Sequence, residues 1–540
     1  MSSNMLIEVF GQIVFSFTRG VTEHYNPEEP ESVVFGYDPL QGTGLEWNYQ
    51  PVEEVIYQEY SEREATSLDY LMACSPKVRI INACSSDDNE ETHENSSQDD
   101  EDRAMAWKRL RPSALHTTWK SMYFGASISL LTATVIGSLY ILISFLLYKT
   151  VNNCEFYPKK SIPVKVQWLR SVSDIMCCNI LYNSFLGVVL FLFRPYQIKG
   201  IRKKLILASC CGFLLDALYR VSLQVLGMSH SKLSTIQKLP LHFLVALSFS
   251  WQIHLVTNHF LSRQSTRQRI TFFFQVAIVP VSIIILAIPV AEIIYPTFNK
   301  QTMNGKLLIA LFAPLIGVVL KVPSRICVQR LHRDYIHPGY SYVSLAPLVG
   351  SSAIMFRVLQ ADLGSLQSIA ILGITHGFVE VIERSAMVFI DHICHSIWKR
   401  TAAPWGSFRT PRGERLMADI TIMSMLFEST AIVSVNGCLY LYKFNFLQNA
   451  SLLEALESFA LTTCLQLVIE WFFTSVSLAI ETHHQNMAVM AVWRRRWKRH
   501  TSVALTTSVL IALWTSTLLL IIVHGRFNES SNQPCKMPFT

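Results

Sequence analysis

Long apolar runs constrain the fold of this chain more than any other feature of its sequence. From about Trp107 onward, mostly uncharged runs recur, and a helix of about 20 residues spans the roughly 30 Å hydrocarbon core of a bilayer. Helices are expected because the bilayer core contains no water to satisfy free backbone groups. The sequence therefore predicts an all-α polytopic membrane protein, a bundle of about eleven transmembrane helices near 122–147, 172–193, 205–226, 239–260, 271–295, 307–322, 341–361, 365–388, 417–440, 455–480 and 502–523.

Charge separates the N-terminal part of the chain from this bundle. Only 16% of the residues are charged, against roughly 25% in an average soluble domain. Residues 1–102 contain 22 Asp and Glu but 4 Lys and Arg, so the remainder is strongly basic. We predict a soluble N-terminal region over 1–84 with the aromatic residues and turn signals of a small domain, then an acidic disordered linker over 85–106. The bundle follows over 107–526, and a short tail occupies 527–540.

Basic residues also predict the orientation, because Lys and Arg collect in cytosolic loops. Alternate loops hold 26 and 12 of them, with Lys321 and Arg325 counted in the richer, cytosolic set. The N-terminus is then cytosolic and the C-terminus exoplasmic, in a plasma membrane or an endomembrane. The expected partners are the lipid bilayer and its anionic lipids at the cytosolic face, with the run from Trp493 to His500 as one contact; no nucleic acid is expected.

Two outer features are consistent with this orientation. The sequons at Asn449 and Asn528 fall on the exoplasmic side, where a glycan can be added. Cys154 and Cys535 are the cysteines placed in exoplasmic loops, where a disulfide persists. We therefore predict two glycosylation sites and one disulfide between these cysteines.

Ionisable residues inside membrane helices are costly and are functional-site hypotheses by default. The span near 365–388 is the richest in them, and Gly373 and Gly377 add a GxxxG pair that allows a neighbouring helix to approach closely. Because residues rotate by about 100° along a helix, one stripe facing the bundle interior contains His376, Glu380, Glu383, Arg384, Asp391 and His395.

Four ionisable residues lie near the centres of their predicted spans, namely Asp216, His376, Glu428 and Glu470. Asp216 has a partner four residues later in Arg220, as Glu380 has in Arg384. Glu428 and Glu470 have none nearby in sequence, so each should hold a proton, bind a cation or pair with a cation from another helix. The alternative is that these groups only connect helices by hydrogen bonds. Arg357 and Asp362 are predicted to form a structural pair.

Prolines indicate a region that could move or line a solute path. Pro280 and Pro289 fall in the fifth span, Pro314 in a sixth span that reads as short, and Pro347 in the seventh. Proline removes a backbone donor and kinks a helix, and interrupted helices line the substrate site in many transporters. Prolines are also common in membrane helices generally, so this signal is weak.

Two weaker motifs point to other chemistry. Asp391-His392-x-x-His395 has the spacing of metal ligands but lacks a second cluster. His376 and Glu380 have the spacing of two ligands or of an acid/base pair, although no nucleophile motif accompanies them. We therefore predict no metal, no cofactor and no enzyme, while an intramembrane hydrolase stays open as a third hypothesis.

The leading functional hypothesis is movement of a small solute, a cation or a proton across the membrane. Its site would be polar, at the midplane, and built from His376, Glu380, Glu383, Glu428, Glu470 and Asp216. The main alternative is a receptor or signalling scaffold that uses the acidic N-terminal region for docking. A cavity that reaches the midplane would favour transport, and a tightly packed core would favour the scaffold.

Overall fold

The computed structural model describes residues 114–150, 162–193, 197–227, 235–331, 336, 338–361, 363, 365–399, 411–446, 451–483, 487 and 489–526. The structure is 92% helical and has no strand in these ranges, which confirms the predicted fold class. The predicted N-terminal region, the linker and the C-terminal tail lie outside these ranges. So do five residues to which the sequence assigned a role, Cys154, Asp362, Asn449, Asn528 and Cys535.

Eleven helices make up the described bundle. Two of them pass through a π-helical turn, α1 at Thr132–Gly137 and α5 at Val290–Ile294, directly after Pro289. In chain order they are α1 (Ala114–Leu131 and Ser138–Thr150), α2 (Val164–Leu192), α3 (Arg202–Val225), α4 (Thr235–Phe260), α5 (Thr266–Pro289 and Tyr295–Lys300), α6 (Met303–Gln329), α7 (Tyr342–Ala361), α8 (Leu366–Lys399), α9 (Pro411–Phe446), α10 (Leu452–His483) and α11 (Val489–Arg526).

Each predicted span falls on one of these helices. Ten helices, α1 to α10, are long and apolar enough to cross a membrane, so the chain is a multi-pass integral membrane protein. The eleventh, α11, contains the predicted span 502–523 after a strongly basic first part. The sixth helix differs from the prediction, because α6 is not short: it has 27 residues and continues through Pro314 and Pro323.

Local signals fix several helix ends. Ser265 and Gln268 form a capping box at the start of α5, where each side chain meets the backbone N–H of the other residue. The hydroxyl of Ser451 accepts a hydrogen bond from the backbone N–H of Glu454 at the start of α10, at 3.1 Å. Gly227, two residues after the end of α3, has a φ of 73°, a left-handed conformation that glycine adopts without strain.

The centre of the bundle is formed by α7 and α9. In their most apolar windows 89% and 94% of the residues are buried, against 22% in α2 and α6, which places these two helices inside. The helices α1, α6, α7, α10 and α11 pack on α9, and α8 packs mainly on α10 and α6. The helices α2, α3 and α4 form a row at one side. Their outward faces carry exposed leucines such as Leu207 and Leu218, as contact with lipid tails requires.

Candidate functional site

A cavity of about 310 Å³ lies between α6, α7, α8 and α9. Much of its wall is apolar, but it also has an unusual number of ionisable groups. We call it the charged cavity; its polar lining consists of Lys321, Arg325, Ser352, His376, Glu380, Glu383, Arg384, Thr421, Ser424 and Glu428. The four residues of the α8 stripe whose side chains are described, His376, Glu380, Glu383 and Arg384, therefore all face the bundle interior, as the helical periodicity predicts.

The charged cavity reaches the middle of the bundle. His376 and Glu428 lie near the centres of the spans Leu366–Met387 and Arg415–Tyr442. Lys321 and Glu383 lie closer to the end of the bundle where α6 and α8 end and α9 begins. The side chain is 9% exposed at Glu428, 19% at Glu383 and 24% at Lys321, whereas Arg325 and Arg384 at the same end are buried.

Arg357 of α7 connects two of the midplane carboxylates. Its Nη2 donates to Oε2 of Glu428 at 3.2 Å and also to Oε2 of Glu470, while its Nη1 donates to Oε1 of Gln360 at 3.0 Å. Glu428 and Glu470 are thus both paired with Arg357, a cation from another helix. This is one of the three outcomes that the sequence predicted for them. Asp362, the predicted partner of Arg357, lies outside the described residues, so that pair stays a prediction.

Arg384 of α8 forms a second shared ion pair. Its Nε and Nη2 donate to the two carboxylate oxygens of Glu481 on α10, both at 2.9 Å, in the bidentate geometry that suits a guanidinium. Its Nη1 lies 3.7 Å from Oε1 of Glu380. The predicted contact between Glu380 and Arg384 is therefore present but is the weaker of the two. The sequence did not single out Glu481, because the predicted span ended one residue before it.

Three possible metal ligands meet at the midplane end of the cavity. Donor atoms of His376, Glu380 and Glu428 all lie within 4.8 Å of one another. Oε1 of Glu380 is buried and has no hydrogen-bond partner among the described residues. The spacing of His376 and Glu380 was visible in the sequence, but Glu428 lies on another helix and joins them only through the fold.

Lys321 and Arg325 correct the assignment of basic residues to loops. Both line the charged cavity from within α6, which continues to Gln329, whereas the sequence placed them in a cytosolic loop. Nζ of Lys321 lies 3.8 Å from Oε1 of Glu383. Helix α6 is longer than its most apolar part, and a hydropathy pattern cannot distinguish its last turns from a loop.

Asp216 does not belong to this site. It forms the predicted pair with Arg220, with Nε of the arginine 2.6 Å from Oδ2 of the carboxylate. Its helix, α3, packs on α2 and α4 at the side of the bundle. The structure does not describe the side chains of Asp391, His392 and His395, so their metal-ligand spacing stays an observation on the sequence.

A second buried polar cluster lies where α7, α9 and α11 meet. Nε2 of His500 is 2.9 Å from Oδ1 of Asp419, its Nδ1 is 3.0 Å from the backbone oxygen of Arg496, and its ring stacks on Tyr342 at 4.7 Å. Arg496 donates to the backbone oxygen of Gly339 at 2.9 Å. Two residues of the run assigned to lipid contact, Arg496 and His500, are therefore buried in the protein.

The prolines line two different cavities. Pro314 lines the charged cavity, whereas Pro280 and Pro347 line a second, largely apolar cavity of about 220 Å³ between α2, α4, α5, α7 and α11. Among the described residues, no charged side chain lines the second cavity. The charged cavity is therefore the stronger candidate for a functional site.

Comparison with protein-family models, with curated proteins and with solved structures gives no match. The functional argument therefore depends on the geometry of the charged cavity.

Proposed function

We propose that the protein moves cations, including protons, across a membrane through the charged cavity. One observation carries the proposal: carboxylates and a histidine converge on a cavity at the middle of a bundle of apolar helices. Buried charges in a bilayer are costly, and they are common on ion and proton pathways. A receptor scaffold could achieve its stability with a tightly packed core and would not require this cavity.

The arrangement of the helices suits alternating access to the site. Lys321 and Glu383, toward the end where α6 and α8 end, are more exposed than Glu428, so cations would enter beside them and reach Glu428 last. Release on the other side requires one wall to move. We assign that movement to α6, because it is peripheral and contains Pro314 and Pro323, each of which removes a backbone hydrogen bond. The buried pair α7 and α9 would stay fixed.

Flux across vesicles tests the proposal. The purified full-length chain would be reconstituted into liposomes that contain a pH-sensitive or metal-sensitive dye, and uptake of protons, K⁺, Mn²⁺ and Co²⁺ would be compared with that of empty vesicles. We expect uptake of at least one cation, and we expect Glu428→Gln to reduce it about tenfold or more. This variant keeps the volume of the side chain and leaves Arg357 bonded to Glu470, so the bundle should fold.

A matched control is available on α10. Glu454→Gln makes the same chemical change at an exposed position in the first turn of that helix and should leave uptake unchanged. Wild-type vesicles that take up none of the four cations faster than empty vesicles would overturn the proposal, and so would equal losses in the two variants.

A further inference from the structure

We propose that His376, Glu380 and Glu428 bind a divalent transition-metal ion such as Mn²⁺, Fe²⁺, Co²⁺ or Zn²⁺. Transport of this ion rests on the proposed function and names the cation that would be transported. Binding of the ion does not depend on transport. The sequence argued against a metal at Asp391, His392 and His395 because no second cluster accompanied them, and it gave His376 and Glu380 the spacing of only two ligands. The fold adds Glu428 of α9 to this pair as a third possible ligand.

The donor set has suitable chemistry and spacing. His376 and Glu380 are four residues apart on α8 and therefore share one face, and Glu428 approaches from α9. The donor atoms lie within 4.8 Å of one another, whereas two ligands of one ion are at most about 4.2 Å apart, which is twice a bond length of about 2.1 Å. Small side-chain rotations can close this gap. Imidazole favours transition metals over Ca²⁺ and Mg²⁺, which prefer oxygen ligands alone.

The charges around the three ligands also favour a cation. Arg357 is shared between Glu428 and Glu470, and Arg384 is shared between Glu380 and Glu481. Two guanidinium groups thus face four carboxylates, while Lys321 compensates Glu383 and Arg325 adds a further positive charge to the lining. These groups together have one negative charge in excess, which a bound cation would offset.

An unused acceptor points to the same place. Oε1 of Glu380 is buried without a hydrogen-bond partner among the described residues, and leaving such an atom unsatisfied is costly. A metal ion beside it would remove this cost. Three protein ligands leave further coordination positions open toward the cavity, where Ser424 and water can complete the shell. An open shell suits an ion that must leave again.

Titration with Co²⁺ tests the binding step directly. The purified full-length chain in detergent would be titrated with Co²⁺, and the visible d–d absorption would report coordination while metal analysis gives the stoichiometry. We expect one Co²⁺ per chain, with affinity reduced about tenfold or more by His376→Ala, Glu380→Gln and Glu428→Gln. Thermal unfolding of each variant would show that it remains folded.

A matched control separates coordination from simple attraction between charges. His376→Ala removes a proposed ligand but no formal charge, whereas Glu454→Gln removes a negative charge at an exposed position outside the cavity. We expect Glu454→Gln to retain Co²⁺ affinity within about threefold and His376→Ala to lose it. The opposite order, or no saturable Co²⁺ binding to the wild type, would overturn the metal site.

The vesicle measurement distinguishes the two proposals. Co²⁺ binding with this pattern, but no cation uptake into vesicles, would support the metal site and overturn transport. Proton or K⁺ uptake without saturable Co²⁺ binding would overturn the metal site and leave transport in place.

Discussion

Arg357 and Arg384 organise the charged interior at the scale of single residues. Each guanidinium joins two carboxylates, and at least one partner of each comes from another helix. Removing one member of a buried ion pair leaves an uncompensated charge, so the partners depend on each other for stability. The relative strengths of these contacts follow from their geometry, and two stability measurements can test them.

Arg384 should be coupled more strongly to Glu481 than to Glu380. The first contact is bidentate at 2.9 Å and the second is a single approach of 3.7 Å. We expect Arg384→Gln to lower the free energy of unfolding by about 3–5 kcal/mol. In double-mutant cycles with Glu481→Gln and Glu380→Gln, unfolding in mixed micelles should give the larger interaction energy for Glu481. Equal interaction energies, or strict additivity at Glu481, would contradict the assignment.

His500 should matter more for stability than its partner Asp419. The His500→Ala change removes a fully buried ring that contacts Asp419, Arg496 and Tyr342, and it leaves Oδ1 of Asp419 without this hydrogen-bond partner. We expect a loss of about 3–5 kcal/mol, as for the truncation of other large buried rings. Asp419→Asn keeps an oxygen that can accept from His500 and should cost less. Thermal unfolding of both variants in the same detergent would check the order, and a larger loss in Asp419→Asn would refute it.

At the scale of elements, close contact between α8 and α10 aligns the site. The GxxxG pair of α8 faces α10, but its two glycines have different surroundings. A Cβ at Gly377 would lie 2.4 Å from Cδ2 and 3.0 Å from Cβ of Phe473, whereas at Gly373 the nearest atom would be 3.6 Å away, on Ile469. The sequence predicted the pair but could not show which glycine is required.

These surroundings give a matched pair of substitutions. Gly377→Ala should lower the free energy of unfolding by about 1–3 kcal/mol, because Phe473 or the helix axis must move. Gly373→Ala should leave stability unchanged or raise it by up to about 1 kcal/mol, because alanine has the higher helix propensity. Denaturation in mixed micelles measures both changes. A similar loss in the two variants would show that α8 and α10 are not in close contact at Gly377.

At the scale of the whole molecule, the number of crossings decides where the termini lie. Ten helices meet the length and hydropathy required of a membrane span, and α11 is the eleventh helix of the bundle. Ten crossings would place both termini on one side, whereas eleven place them on opposite sides. The basic loops predict a cytosolic N-terminus, so a crossing by α11 makes the C-terminus exoplasmic.

A terminal tag can test this topology. We expect a tag after Thr540 to be accessible only from the exoplasmic side and a tag before Met1 only from the cytosol. In cells that glycosylate membrane proteins, Asn528 should carry a glycan, and Asn528→Gln should remove the corresponding mass shift. Two tags accessible from the same side would show that α11 does not cross.

The sequence by itself determined the class of the protein, the position of each helix and the inward face of α8. These properties follow from apolar length and helical periodicity, which are local. The partner of Glu428, the role of Glu481 and the meeting of His376 with Glu428 were decided by tertiary structure alone. These contacts are between side chains on α7, α8, α9 and α10. Hydropathy and residue spacing describe one helix at a time, so they cannot predict which residues of different helices meet. Two further residues were misplaced by the sequence for the same reason. Lys321 was assigned to a loop but lines the cavity, and Asp216 was assigned to the site but lies outside it.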